Sequence, residues 1–297
     1  MSFKSLKTGR KARLEKLQVQ ATQQNKSYVD ERYWSPTKDK AGNAFATIRF
    51  LPEAEDNDLT WVEYYSHGFK NPKNGKWYIE NSRTSIGQPD PLGELNNQLW
   101  NNGTEVGKEQ ARHQKRKKNF VSNILVINDT ANPENNGKVF LFRYGVKIHD
   151  MIMDKLNPQF EDEEAVNVFD FWDGANFKLK QRSVDGWPNY DKSEFETPSA
   201  LSEDDDELEK IYNKMYDLRE FKSESFYKPY DELKKKLMDV LGMTGSTFGI
   251  TEDEEPRSSV GREEASSMED VSDDDSEEDD DDDNDVSSYF DSLVDED

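Results

Sequence analysis

Cysteine is absent from this 297-residue chain, which removes disulfides, thiolate metal sites and thiol nucleophiles together. No run approaches the roughly 18 consecutive apolar residues that a membrane-spanning helix needs. The opening residues, "MSFKSLKTGRKARLEKL", are basic but lack a secretory signal's apolar run and small-residue cleavage site, so a soluble intracellular protein is expected. Histidine is scarce as well: His67, His113 and His149 are far apart, with no second His at metal-ligand spacing, so no metal site is expected. There is no phosphate-cradling glycine loop and no G-x-S-x-G. The acidic run "FEDEEAV" (160–166) would suit a carboxylate metal site only if its members came from separate strands, and as a run it reads as a solvated loop. Nothing in the chain reads as an active site.

What the chain has in excess is negative charge, −24 overall, and it is unevenly placed. Residues 252–297 hold 23 Asp and Glu against Arg257 and Arg262, a segment charge of −21, leaving −3 for residues 1–251. Such a block cannot bury enough apolar surface to offset its ordering entropy, and residues 243–297 are expected to form a disordered linker and an acidic interaction tail. At the other end, residues 1–20 carry Lys4, Lys7, Arg10, Lys11, Arg13 and Lys16 against Glu15 alone, a basic arm or basic amphipathic helix. With 33% hydrophobic residues, the remainder, 21–242, suffices for one sizeable core.

That body reads as mainly β with peripheral helices. "AFATIRFL" (44–51), "WVEYYSHGF" (61–69), "KWYIE" (76–80), "NFVSNILVI" (119–127), "KVFLFRYGVKI" (138–148) and "NFKLKQRSV" (176–184) are aromatic and β-branched runs broken by turn formers, the pattern of a small barrel or sandwich. The turn-rich "NDTANPENNG" (128–137) predicts a hairpin with a long loop. Over 203–241 the period becomes helical. Leu208, Ile211, Tyr212, Met215 and Leu218 line one face, and Tyr230, Leu233, Leu237, Val240 and Leu241 a second, between Pro229 and Gly242.

A basic knot interrupts this near-neutral body. "ARHQKRKKNF" (111–120) places Lys115, Arg116, Lys117 and Lys118 at the mouth of a predicted strand that continues through Phe120. Cations beside an aromatic on a β-surface suit single-stranded nucleic acid, since the cations follow phosphates while rings stack on unpaired bases. Alternation in "KVFLFRYGVK" sets Phe140, Phe142 and Tyr144 on one face and Val139, Leu141 and Arg143 on the other. In "NFKLKQR" it sets Lys178, Lys180 and Arg182 opposite Phe177 and Leu179. Arg49 in "ATIRFL" extends the basic stripes. Trp100, Trp187 and Tyr190 lie in the polar segments "NQLWNNG" and "DGWPNYD", where a ring has less reason to be buried.

The blocks "AGNAFATIRFLP", "HGFKNPKNGKWYIE", "NPENNGKVFLFRYGVKIHD", "DGANFKLK" and "GWPNYDKSEF" together resemble the single-stranded-DNA-binding proteins of T-even-type phages, over roughly residues 40–195. The resemblance implies an oligonucleotide-binding (OB) fold whose cleft takes single-stranded DNA during replication, recombination and repair in the cytoplasm of an infected bacterium. It also implies a basic N-terminal arm that binds the neighbouring subunit cooperatively, and an acidic tail that recruits replication and recombination proteins: polymerase, helicase loader and recombination mediator. By the same resemblance, Lys115–Lys118 take the place of the family's basic motif. Phe120, Phe142, Tyr144, Trp187 and Tyr190 fall at its aromatic positions, with Trp100 where it has a tyrosine. Lys4, Lys7, Thr8, Arg10 and Lys11 match the self-association arm. Tyr289, Phe290, Leu293 and Val294, the last apolar patch of the tail, are expected to dock in a partner's groove as a short helix.

One departure concerns a metal. The family's type member holds a structural zinc through one His and three Cys, whereas here His67 persists in "SHGF", the next ligand position lies near Ser82, and "GQPDPLGEL" (87–95) has no cysteine. No cofactor is expected, and the subdomain at about 61–110 is expected to be held by packing alone. The tail, at about 5–6 Å times the square root of its length, reaches roughly 35–40 Å and can screen the cleft when no DNA is bound. The competing reading from the sequence is an acidic chaperone or DNA mimic acting through the tail; a magnesium-dependent nuclease is a more remote one.

Overall fold

The computed structural model describes residues 30–54, 59–160, 162–184 and 186–243. The basic-arm residues Lys4, Lys7, Thr8, Arg10 and Lys11 and the tail residues Tyr289, Phe290, Leu293 and Val294 lie outside them. The described chain is mainly an antiparallel sheet that curls into a half-barrel, with five helices around it. Among the described residues no helix is long and apolar enough to cross a membrane.

Strand β4 (Lys117–Asp129) is the spine. On one edge it carries β1 (Ala44–Phe50) and β2 (Trp61–Lys70) end to end, since Phe50 pairs with Ile124 and Trp61 with Ser122. Its other edge carries β5 (Val139–Tyr144) through the hairpin loop predicted at 128–137. β2 extends past β4 to pair with β3 (Trp77–Asn81), and β1 pairs outward with β6 (Asn176–Val184). β6 in turn pairs with the short strands β7 (Trp187–Asn189) and β8 (Glu194–Phe195).

Alternation decides what fills the curl. Ala46, Ile48 and Phe50 of β1, Phe120, Ile124 and Val126 of β4, Phe142 and Tyr144 of β5, and Phe177 and Leu179 of β6 project into one core. Phe50 sits among Phe142, Tyr144, Phe169, Phe177 and Phe195, with ring centroids 5.6–6.3 Å apart, the spacing of mutually favourable tilted and edge contacts. Helix α3 (Val146–Leu156) closes this face with Ile148 and Ile152, four residues apart on one stripe. The predicted strand over 138–148 therefore ends at Tyr144. Gly145 takes an extended backbone as the helix N-cap, and "VKI" opens a helix instead.

The opposite face of the sheet is covered by the C-terminal region. Leu208 and Ile211 of α4 (Asp205–Tyr212) pack on Leu125 and Val139. Leu218 and Phe221, in a 3-10 turn, pack on Val62, Tyr64, Val121 and Leu141. The single helical face predicted from Leu208 to Leu218 is thus broken after Tyr212. Helix α5 (Tyr230–Leu241) starts after Pro229 and stops at Gly242, whose φ of 67° supplies the left-handed C-cap.

The β2–β3 hairpin carries two helices that the alternating pattern did not reveal, α1 (Pro91–Asn101) and α2 (Glu105–His113). Asp90 starts α1 by accepting from the backbone N–H of Leu92 and Gly93 at 3.1 and 3.0 Å, with Pro91 in the first turn. α2 crosses close at Gly107, where a Cβ would lie 2.6 Å from the Leu99 carbonyl oxygen. Leu92 and Leu95 of α1 join Phe69, Tyr78, Leu237 and Val240 in a separate small core.

Candidate nucleic-acid interface

The basic knot begins where α2 ends and β4 starts. Thr104 caps the far end of α2, and the chain turns at Gln114 before Lys117 and Lys118 enter the sheet. Register places Lys118 opposite Tyr65 of β2. The Arg116 guanidinium lies over the Tyr65 ring, 4.2 Å from its centroid, and Lys118 Nζ stands 5.9 Å from the same ring. Arg116 Nη1 also donates to Thr84 Oγ1 at 3.0 Å. On the neighbouring helices Lys108 and Arg112 lie 5.8 and 5.3 Å from the Trp100 ring, and Lys70 lies 5.8 Å from Trp77. The β2–β3 and α1–α2 region therefore presents three aromatic rings, each already next to a cation, alongside Lys115–Lys118. Cation–π attraction fixes such long side chains in place at the surface.

Other aromatics expected at the interface have different surroundings. Phe120, Phe142 and Tyr144 are interior, 2–4% exposed. Phe120 stacks on His149 with centroids 3.7 Å apart, and the Tyr144 hydroxyl is 2.9 Å from Ser122 Oγ. A base cannot reach these rings without repacking the core, so direct stacking by them does not fit this placement. Burial lowers the pKa of His149, and the nearby Lys118 acts in the same direction. Trp187 is 43% exposed beside the turn at Gly186. Tyr190 is half-buried against the main core, its hydroxyl donating to Gln181 Oε1 at 3.3 Å.

The basic stripe on β6 faces away from the Tyr65 side, because Phe177 and Leu179 take the core face. Lys178 pairs with Glu196 at 2.9 Å, Lys180 with Glu194 at 2.7 Å and Arg182 with Asp191 at 3.5 Å. Hydrogen bonding to these lysines holds Glu194 and Glu196 below their ordinary pKa. Arg49 lies on the same side but is fully buried. Its Nη2 donates to the Ser199 carbonyl, burial pushes its pKa down, and a phosphate cannot approach it. Arg143 is half-buried on β5. The expected site thus divides: Lys115–Lys118 run past Tyr65, Trp100 stands with Lys108 and Arg112 of α2, and Arg49, Lys178 and Lys180 lie across the sheet.

Four residues that the sequence reading did not single out, Tyr65, Trp77, Lys70 and Arg112, make ring–cation contacts in this region. The signal for Tyr65 was present in β2, where Trp61, Glu63 and Tyr65 share a face; what it lacked was the register with Lys118.

A family model described as "gp32 DNA binding protein like" matches residues 42–241. The chain belongs to this gp32-like family. Among its relatives, the single-stranded DNA-binding protein of Enterobacteria phage T2 is 41% identical over 224 residues, covering 73% of this chain and 72% of the relative. That of Enterobacteria phage T4 is 40% identical over 223 residues with the same coverage. A shorter match, to the single-stranded DNA-binding protein of Escherichia phage SV14, is 46% identical over 64 residues, 22% of this chain and 55% of that one. The gp32-like proteins are binding proteins, not enzymes.

Proposed function

We propose that this chain binds single-stranded DNA without sequence preference, through the face that joins Lys115–Lys118 to Tyr65 and Trp100. The observation that carries the reading is the register of β2 on β4, which sets Tyr65 beside Arg116 and Lys118. Cations there follow phosphates while Tyr65 and Trp100 accept unstacked bases.

The strand connections support an OB-fold assignment, with β1, β4, β5, β6 and β7 as its five strands. In that fold the second and third strands, the first–second connection and the fourth–fifth connection bind oligonucleotides. Here the first–second connection is the long segment between Phe50 and Lys117, which carries Tyr65, Trp77, Trp100, Lys115 and Arg116. The fourth–fifth connection is the tight turn between Val184 and Trp187. Trp187 and Tyr190 then extend the track across the fold. Each neutralised phosphate should contribute about −0.7 to the slope of log affinity against log salt, and each stacked base about 1–3 kcal/mol.

Within this reading the basic arm at residues 1–20 associates with a neighbouring copy, so that binding along a strand is cooperative. The acidic tail occupies the cleft in the absence of DNA, and once displaced it recruits replication, recombination and repair proteins in the cytoplasm of an infected bacterium. The names of the T2 and T4 relatives support the DNA-binding part of this account. The test is titration of fluorescent oligo-dT and of a duplex with the full chain. Single strands should bind at least tenfold more tightly than duplex, and equal affinity for the two would reject the proposal.

A further inference from the structure

His67 and Asp90 are each 2% exposed, and they meet at the junction of β2 and α1. His67 Nε2 lies 3.3 Å from Asp90 Oδ1, an ion-pair distance without hydrogen-bond alignment. Nδ1 lies 3.3 Å from the carbonyl oxygen of Gln114. Both ring nitrogens therefore face protein oxygen atoms, and neither turns toward an open metal position. Asp90 is equally committed. Oδ1 caps α1, and Oδ2 accepts the Arg83 backbone N–H at 3.1 Å. Burial works against its charge, yet His67 and these N–H groups hold its pKa below the ordinary value. Ser82 Oγ is tied to Thr84 Oγ1 at 3.0 Å. Among the described residues no group of three or more His, Asp or Glu converges to hold a metal ion. A structural zinc needs about four convergent nitrogen, thiolate or carboxylate ligands, and the residues here do not fit one.

The same contacts lead to the basic knot. The Gln114 carbonyl that faces His67 also accepts from Asn96 Nδ2 at 3.0 Å, so the residue immediately before Lys115 is fixed from β2 and from α1. Ser82 and Thr84 continue the chain to Arg116 Nη1, and Arg116 lies over Tyr65.

We propose that His67 and Asp90 are positioning residues that, without a metal, lock the β2–β3 and α1–α2 region together and set the basic segment 114–118 against Tyr65. The ordering of this region is then polar as well as apolar, beyond the packing of Phe69, Tyr78, Leu92 and Leu95. Only the link to DNA rests on the proposed function; the metal-free ordering stands apart from it.

The experiment uses the full chain purified from zinc-supplemented medium. Elemental analysis should find well under one zinc per chain, and a chelator should leave the melting temperature unmoved. Asp90→Asn keeps an N-cap acceptor for α1 but removes the charge facing His67. It should speed amide exchange at residues 82–96 and 114–118 while exchange in β1, β4 and β6 stays slow. It should also weaken oligo-dT binding at least about fivefold, because a buried partner is left unmatched, and make the salt dependence shallower; added zinc should restore neither. Should Asp90→Asn fail to fold, His67→Gln, which keeps a side-chain donor, provides the same exchange comparison. One tightly held zinc whose removal lowers the melting temperature would overturn the proposal, as would exchange in Asp90→Asn identical to the parent. If the parent itself fails to bind oligo-dT, the DNA reading falls, while the zinc and exchange measurements still decide this inference.

Discussion

Two basic stripes of similar sequence, "KRKK" at 115–118 and "KLKQR" at 178–182, end in different surroundings. The first lies beside Tyr65, with Arg116 held over that ring and Lys118 Nζ 3.7 Å from Glu63. The second is matched nearly one for one by Glu196, Glu194 and Asp191. Those acids come from β8 and its flanks, which return antiparallel along β6, so strand pairing itself neutralises the stripe. Positive charge counted along a chain is therefore a poor guide to the field a ligand meets. What separates the two stripes is the next strand: β2 sets an aromatic, Tyr65, opposite Lys118 with Glu63 3.7 Å from its Nζ, whereas β8 sets Glu194 opposite Lys178.

That contrast can be broken or sharpened by substitution. Replacing Lys115, Arg116, Lys117 and Lys118 together by Ala should have the largest effect. The salt slope for oligo-dT should flatten by about 3, which is four phosphate contacts at about 0.7 each, and affinity should fall well over tenfold; an unchanged slope would move the DNA path elsewhere. Tyr65→Ala should cost about 1–3 kcal/mol of binding, read by the same titration, with secondary structure unaltered by circular dichroism.

Asp129 is a control off both stripes. It is buried and accepts from Trp34 Nε1 at 3.0 Å, Asn135 Nδ2 at 3.1 Å and the backbone N–H of Asn132 at 3.0 Å. Asp129→Asn would set an amide NH₂ against donors and should cost about 1–3 kcal/mol of stability in urea unfolding, leaving oligo-dT affinity within twofold. Burial opposes the Asp129 charge, but these donors hold its pKa below the ordinary range. Its contribution is therefore complete above the usual carboxylate pKa and is lost as pH falls through the depressed one. The variant should lose less stability than the parent between neutral and acid pH.

The smallest effect should come from Lys178→Gln with Lys180→Gln, whose exposed ion pairs are worth little. Stability should stay within about 0.5 kcal/mol and oligo-dT affinity within twofold. A tenfold loss would mean that DNA displaces the carboxylates and that the two stripes form one site.

Much of the sheet was legible because its residues alternate with period two. Ala46, Ile48 and Phe50 against Phe45, Thr47 and Arg49, and Phe177 and Leu179 against Lys178 and Lys180, appear in the sequence as they do in the fold. Alternation misled where it outlasted the strand: "VFLFRYGVKI" keeps a strand-like composition across Gly145, and only the pairing of Ile148 with Ile152 marks the helix. The helix start at Asp90-Pro91 carried a cap and a first-turn proline, yet it lay in a stretch dense in turn formers to which no element was assigned. The basic knot was legible as a candidate site, but its aromatic partners were not. A Phe on a strand has the same letter whether it faces a core or a groove, so Phe120, Phe142 and Tyr144 entered the candidate site through the family's aromatic positions alone, while Tyr65, which registers with Lys118 across a gap of more than fifty residues, was passed over. Arg49 shows the same limit: nothing near it in sequence reveals that it is fully buried with its guanidinium against the Ser199 carbonyl.

The central claim is that the 115–118 stripe, with Tyr65, is the DNA-binding face. It is tested most directly by comparing Arg116→Ala with Lys180→Ala in oligo-dT titrations across a salt series, using the full chain and a truncation after Gly242. The account predicts that Arg116→Ala weakens binding and flattens the slope in both lengths of chain, that Lys180→Ala changes neither, and that truncation tightens binding by removing the acidic tail. Equal losses from the two substitutions, or a truncated chain that no longer binds single strands, would contradict it.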